Sequence, residues 1–200
     1  MSPDQISYVI DDRLYLNITD RCTLRCTFCP KIRGDNRVHD YDLSLSHLPT
    51  EEEIIAAIPD PAAWDEVVFC GFGEPTLRLK VLLAVAQHIR EGGGRVRVNT
   101  DGLANRVHKR NVLPELAQCV DALSVSMNTH TAELYDRHCQ PALDDSWQSM
   151  LEFLAAAPAY IKNVTATAID GLPGVDIAAC EALAHERGVQ FRRRELDVVG

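Results

Sequence analysis

The sequence predicts an α/β fold built as a partial (β/α)6 barrel, and three observations predict it. Strand-like and helix-like stretches alternate along all 200 residues, the pattern of a parallel sheet with helical crossovers. Six strand–helix units fit that length at roughly 30 residues each, whereas a closed eight-unit barrel takes about 250. One connection, 20–49, is out of proportion, and loops that long are usually functional. At this size the chain, 1–200, reads as a single domain.

The first strand is expected over 14–19, LYLNIT. An extended piece at 6–10 turns at Asp11 and Asp12 to pair with it as a hairpin. Further strands are expected at 66–70, 95–99, 122–127, 163–169 and 189–193. Between them, Thr50 and Glu53 form a capping box ahead of an EEEIIAAI helix. Leu79, Leu82, Leu83, Ala86 and Ile89 recur at helical spacing until the glycines at 92–94 stop the run. Ile177, Cys180, Leu183 and Ala184 form a similar stripe, ended by Gly188.

Parallel strands buried on both faces run apolar throughout. Three strands here alternate instead. Leu14, Leu16 and Ile18 oppose Tyr15, Asn17 and Thr19. Val96 and Val98 oppose Arg95, Arg97 and Asn99, and Leu123, Val125 and Met127 oppose Ser124, Ser126 and Asn128. With helices outside, the apolar sets are expected to face them and the polar sets the lumen. Burying so many polar groups without partners is costly, which predicts a polar ligand cavity there. Arg97 and Arg193, pointing into it, would bind a carboxylate or phosphate of an anionic substrate, unless Glu195 neutralises Arg193.

A net charge of −9 and a pI near 5.2 argue against an extended nucleic-acid or anionic-membrane surface. No apolar run approaches the ~20 residues of a membrane helix. The opening MSPDQISYVIDD lacks a basic-then-apolar export signal, and seven cysteines without one suit a reducing compartment. The chain reads as cytoplasmic.

Within the long loop, Cys22, Cys26 and Cys29 are spaced C-x3-C-x2-C just past the first strand. That spacing lets a short loop wrap three thiolates around one inorganic centre. No fourth cysteine lies nearby in sequence, so on a 4Fe–4S cluster one iron would stay open to an exogenous ligand. The rival is a structural Cys3His zinc site with His39 as fourth ligand, although zinc knots usually carry a second cysteine pair and none follows.

This spacing, with Phe28 ahead of the last cysteine, resembles the signature of the radical S-adenosylmethionine (SAM) superfamily. The resemblance implies a barrel of radical SAM type and SAM chelated at the open iron. Reductive cleavage of SAM would then give a 5′-deoxyadenosyl radical that abstracts a substrate hydrogen. Gly71, Phe72, Gly73, Glu74 and Pro75 resemble the superfamily's Gly-Gly-Glu-Pro motif, which bonds the SAM amino group, with Phe72 in place of a glycine. The same resemblance sets Phe28 by the adenine and Asn99, Ser126 and Asn128 by the ribose hydroxyls and methionyl carboxylate. Arg137 is a further candidate for that carboxylate, and Asp101 reads as turn chemistry.

A closer resemblance is to the small radical SAM proteins linked to TatD-type nucleases. It rests on LYLNITDRC, EVVFCGFGEPTLRL, VNTDGLAN, the Tyr135, Cys139 and Pro141 stretch, and Pro-Gly-Val-Asp at 173–176. It implies a functional link to such a nuclease, while the chemistry implies a reducing donor such as flavodoxin or ferredoxin. Two other functions fit the same residues: a glycyl-radical activase, and a zinc- or cluster-binding accessory subunit of a nuclease system. Cys70, Cys119 and Cys180 read as core fillers. Cys139 is either a packed thiol closing a helix or a group approaching the site beside Arg137 and His138.

Overall fold

The computed structural model describes residues 4–196. Asp11, at φ 51°, turns the chain between β1 (Ser7–Ile10) and β2 (Arg13–Leu16), which pair antiparallel as the sequence predicts. Aspartate tolerates that left-handed conformation better than most residues. The long loop then holds a 3-10 turn at Pro30–Arg33 and a two-strand ribbon, β3 (Arg37–Val38) and β4 (Tyr41–Asp42), absent from the predicted elements. The capping box starts α1 (Glu51–Ala56): Thr50 N donates to Glu53 Oε2 at 2.7 Å, and Glu53 N to Thr50 Oγ1 at 3.2 Å.

Strands and crossovers alternate from there. They are β5 (Glu66–Phe69), α2 (Leu79–Glu91), β6 (Val96–Thr100), the short α3 (Ala104–His108) and α4 (Leu113–Leu116), and β7 (Ala122–Asn128). Next come α5 (Ala132–Cys139), α6 (Ser146–Ala156), β8 (Asn163–Asp170), α7 (Ile177–Glu186) and β9 (Gln190–Glu195). The main sheet runs β1-β2-β5-β6-β7-β8-β9, parallel from β2 onward. Six parallel strands with helical crossovers make the partial barrel that the alternation predicts.

The apolar strand sets face the helices. Leu14, Leu16, Ile18, Val96, Val98, Leu123, Val125 and Met127 share one buried cluster with Leu82, Val85 and Ile89 of α2. Each such side chain removed from water contributes about 1.5–3 kcal/mol, so this layer holds the fold together. Among the described residues, no helix is long and apolar enough to cross a membrane.

The concave face is less polar than the alternation predicts. Tyr8, Tyr15, Val38, Leu43 and Val68 form a second buried cluster, with the Tyr8 and Tyr15 rings stacked 5.2 Å apart. The long loop brings Val38 and Leu43 over β1, β2 and β5 and fills that side with apolar groups. The polar cavity is therefore confined to the side of β6 to β9.

Candidate active site

Cys22, Cys26 and Cys29 leave β2 at the carboxyl end of the parallel strands, where α/β folds gather ligands. All three thiols are free; Cys22 is exposed and the other two half-buried. Backbone bonds fix the path of the loop. Thr27 N donates to His138 O at 2.8 Å, Arg25 N to Cys139 O at 3.0 Å, and Ala142 N to Thr23 O at 2.9 Å. The end of α5 and the residues after it thus run alongside the cysteine loop, with a strand-like bridge between Leu24 and Pro141. Cys29 ends the loop by accepting at its carbonyl from Ile32 N at 3.0 Å.

The glycine motif braces the same loop from its other side. A Cβ on Gly73 would overlap the Thr19 carbonyl and approach Arg21 O to 2.8 Å, so only glycine fits against that backbone. Gly71 packs as tightly on the Asn17 side chain. Glu74 N donates to Arg21 O at 2.7 Å. The Glu74 carboxylate turns inward and caps the 3-10 turn Pro75–Arg78. Its Oε1 accepts from Thr76 Oγ1 at 2.6 Å and Thr100 Oγ1 at 2.8 Å, and its Oε2 from Asp101 N at 2.7 Å.

Asp101 is the residue that the sequence reading undervalues. It is buried, accepts from Leu103 N at 2.9 Å, and receives the Thr23 hydroxyl from inside the cysteine loop. One network therefore joins the loops after β2, β5 and β6. Burial, with the Asp101 charge beside it, pushes Glu74 up to about 8, and burial pushes Asp101 up as well. Two adjacent buried carboxyls cannot both ionise cheaply, so the pair keeps a proton at neutral pH. The cysteines are shifted in the same sense. Although Cys22 is exposed as a residue, its thiol is closely surrounded, and burial raises it, followed by the charges of Asp101 and Glu74. Hydrogen bonding to Cys139 and then burial raise Cys26, and burial raises Cys29. Metal binding must displace those protons.

The other candidates divide. Asn99 lies on the lumen side of β6 beside Ser124, and its Oδ1 is buried without a hydrogen-bond partner. Ser126 is half-buried on the same side of β7. Asn128 departs from the predicted alternation. A register shift between Ser126 and Asn128 leaves it buried at φ 62°, with Nδ2 3.6 Å from Cys139 Sγ. Cys139 is buried as well, and it is the contact joining Asn128 to Cys26. Phe28 packs half-buried on the main core, whereas Phe72 packs on the smaller apolar cluster of the concave face.

Two arginines need correction. Arg193 pairs in register with Ala168, which belongs to the helix-side core, so it points outward and binds Asp170 at 2.6 Å. Its neighbours Arg192 and Arg194 point inward instead. Arg137 lies on the exposed face of α5, paired with Glu133 at 2.9 Å one turn earlier, and does not reach the site. Arg97 does face the lumen, at the amino end of β6, with Glu66 Oε2 3.2 Å from its Nε. His39 is exposed in the turn between β3 and β4.

The donor set, three free thiols on one short loop, has the chemistry that an iron–sulfur cluster takes. Among the described residues, no group of three His, Cys, Asp or Glu side chains converges as a single metal ion requires. The thiolates of a 4Fe–4S cluster bind separate irons and need no common point. The orphaned Asn99 Oδ1 supplies an acceptor for a ligand hydroxyl or ammonium beside it.

Comparison with known proteins places the fold and the family. SuiB of Streptococcus suis bound to S-adenosylmethionine superposes with a TM-score of 0.71 at 13% identity, covering 95% of this chain and 42% of that one. TYW1 with a lysine-pyruvate adduct bound gives a TM-score of 0.66 at 15% identity, covering 94% and 66%. GTP 3′,8-cyclase of Corynebacterium glutamicum (strain R) is 27% identical over 192 residues, covering 90% of this chain and 47% of its own. The chain thus spans about half the length of that curated relative. The family model described as Radical SAM superfamily matches residues 16–186, from the last residue of β2 through the three-cysteine loop to the end of α7. By that match, the chain is a member of the radical SAM superfamily, and so an enzyme of that family.

Proposed function

We propose that Cys22, Cys26 and Cys29 hold a 4Fe–4S cluster with one iron left for SAM. When bound, that cluster supplies the electron that splits SAM into methionine and a 5′-deoxyadenosyl radical, which takes a hydrogen atom from a small-molecule or peptide substrate. The chain's own residues do the rest. Thr23, Gly73, Glu74 and Asp101 keep the cysteine loop in place from beneath. Asn99 and Ser126 line the lumen side of the strand ends, where they would bond the ribose hydroxyls or the carboxylate of SAM. Phe28, half-buried beside its cysteines, offers a ring face for the adenine. Glu74 acts through the loops, because its carboxylate is buried and turned onto Thr76, Thr100 and Asp101.

The observation that carries this reading is the trio of free thiols on one loop after β2, with Asn99 Oδ1 buried and unpartnered on the lumen side of β6. Anaerobic protein mixed with dithionite and SAM should release 5′-deoxyadenosine, and Cys29→Ser should not. Equal release by both would remove the cysteine assignment. The resemblance to the nuclease-linked group adds a proposed functional link to a TatD-type nuclease, with flavodoxin or ferredoxin as electron donor.

A further inference from the structure

Below Asn99 the lumen has a floor that none of the residues proposed to hold the cluster or SAM lines. A cavity of about 270 Å³ opens there, lined by Glu66, Arg95, Arg97, Ser124, Thr165 and Arg192 among others. Arg97 precedes Asn99 by two residues of β6, about 7 Å along the strand, so the floor lies one layer beneath the proposed SAM site. Strand alternation turns Arg192 inward with Thr167, and Arg194 inward with Ile169.

Arginines gather here against the trend of a chain with net charge −9. Among the described residues, Glu66 is the one carboxylate lining the cavity, with Oε2 3.2 Å from Arg97 Nε and 3.4 Å from Arg13 Nε. Neither contact has hydrogen-bond alignment, and the Nε atoms of Arg13, Arg97 and Arg194 are buried without an aligned partner. Among the described residues, no hydrogen bond or ion pair engages the Arg192 side chain. Arg192 is exposed at the cavity's edge, and partial burial of its guanidinium, followed by the charges of Arg97 and Arg194, depresses its basicity. Like charges gathered this closely around one carboxylate favour a bound anion.

We infer that this floor binds a phosphate group of the substrate, gripped by Arg97 and Arg192 and opposed by Glu66. Among the described lining residues, three guanidiniums against one carboxylate leave two positive charges, which a phosphate monoester cancels at neutral pH. The planar arginine fork matches paired phosphate oxygens, and the Ser124 and Thr165 hydroxyls add neutral donors. The cavity is small for a complete ligand, so it takes the phosphate and the atoms next to it, leaving the carbon skeleton one layer up. Calling the bound molecule the substrate rests on the proposed radical chemistry; the anion site itself does not.

Calorimetric titration of the anaerobic, cluster-loaded chain with inorganic pyrophosphate at low salt tests this, with citrate as the carboxylate comparator. One saturable pyrophosphate site is expected, weaker by about tenfold in Arg192→Gln and several-fold tighter in Glu66→Gln, with citrate binding less well. Absence of saturable binding, or equal affinity in wild type and both variants, would overturn the site. Citrate binding more tightly than pyrophosphate would overturn the phosphate assignment. Binding is read without turnover, so anion binding with no SAM cleavage sinks the radical chemistry and keeps the site. SAM cleavage with no anion binding does the reverse.

Discussion

Glu74 sits where the motif places a ligand contact, yet it works as a buried keystone for three loops. With its value pushed up to about 8, it binds its proton more tightly in the folded chain than at its ordinary 4.5. Its stabilising contribution is therefore full below about pH 4.5 and is lost as pH rises to about 8. Denaturant midpoints should fall across that interval in the wild type and fall less in Glu74→Gln; equal slopes would mean that the pair carries no proton. Cys26 and Cys139 provide a sharper contrast, since their thiols touch but only Cys26 belongs to the cysteine loop. Cys26→Ala should strip iron from anaerobically prepared protein, while Cys139→Ala should keep it at a stability loss of about 1 kcal/mol. Iron loss in Cys139→Ala would make that sulfur a ligand. The cysteine spacing was legible in the sequence because all three lie within one loop. The Thr23, Asp101 and Glu74 network was not, because three separate loops must meet to form it. Likewise, only strand register decides that Arg192, rather than Arg193, faces inward.

The elements that read most clearly are those with an unbroken period. The capping box of α1, the apolar stripe of α2 and the alternation of β2, β6 and, as far as Ser126, β7 appear where the sequence puts them. Features of two or three residues escaped: the β3 and β4 ribbon, and the register shift that carries Asn128 towards Cys139. Neither leaves a period to detect. The cysteine loop is an element held from two sides, by the end of α5 and by Gly73. Gly73→Ala would drive a methyl into the backbone at Thr19 and Arg21, which cannot step aside as a flexible side chain can. A stability loss of about 1–3 kcal/mol is expected, with lower iron content than the wild type. Thermal midpoints and iron per chain measure both, and unchanged iron would show that the loop holds its thiols without that contact.

At the scale of the molecule, the sheet separates two kinds of interior. The helix side is a continuous apolar core, and the concave side is apolar only under the long loop and polar from β6 to β9. The sequence showed the first division through strand alternation but not the second, since nothing local says where a long loop will lie. The polar half carries Asn99 and, about one layer down β6, the arginine floor, where the proposed cofactor and substrate sites lie. The central claim is that three thiolates hold an iron–sulfur cluster with a corner free for SAM. Iron, zinc and sulfide should be counted per chain in anaerobic protein, and the electron paramagnetic resonance spectrum of the reduced protein recorded before and after adding SAM. About four irons with matching sulfide, and a spectrum that changes on SAM addition, are the predicted result. Stoichiometric zinc, or a cluster whose spectrum ignores SAM, would contradict it.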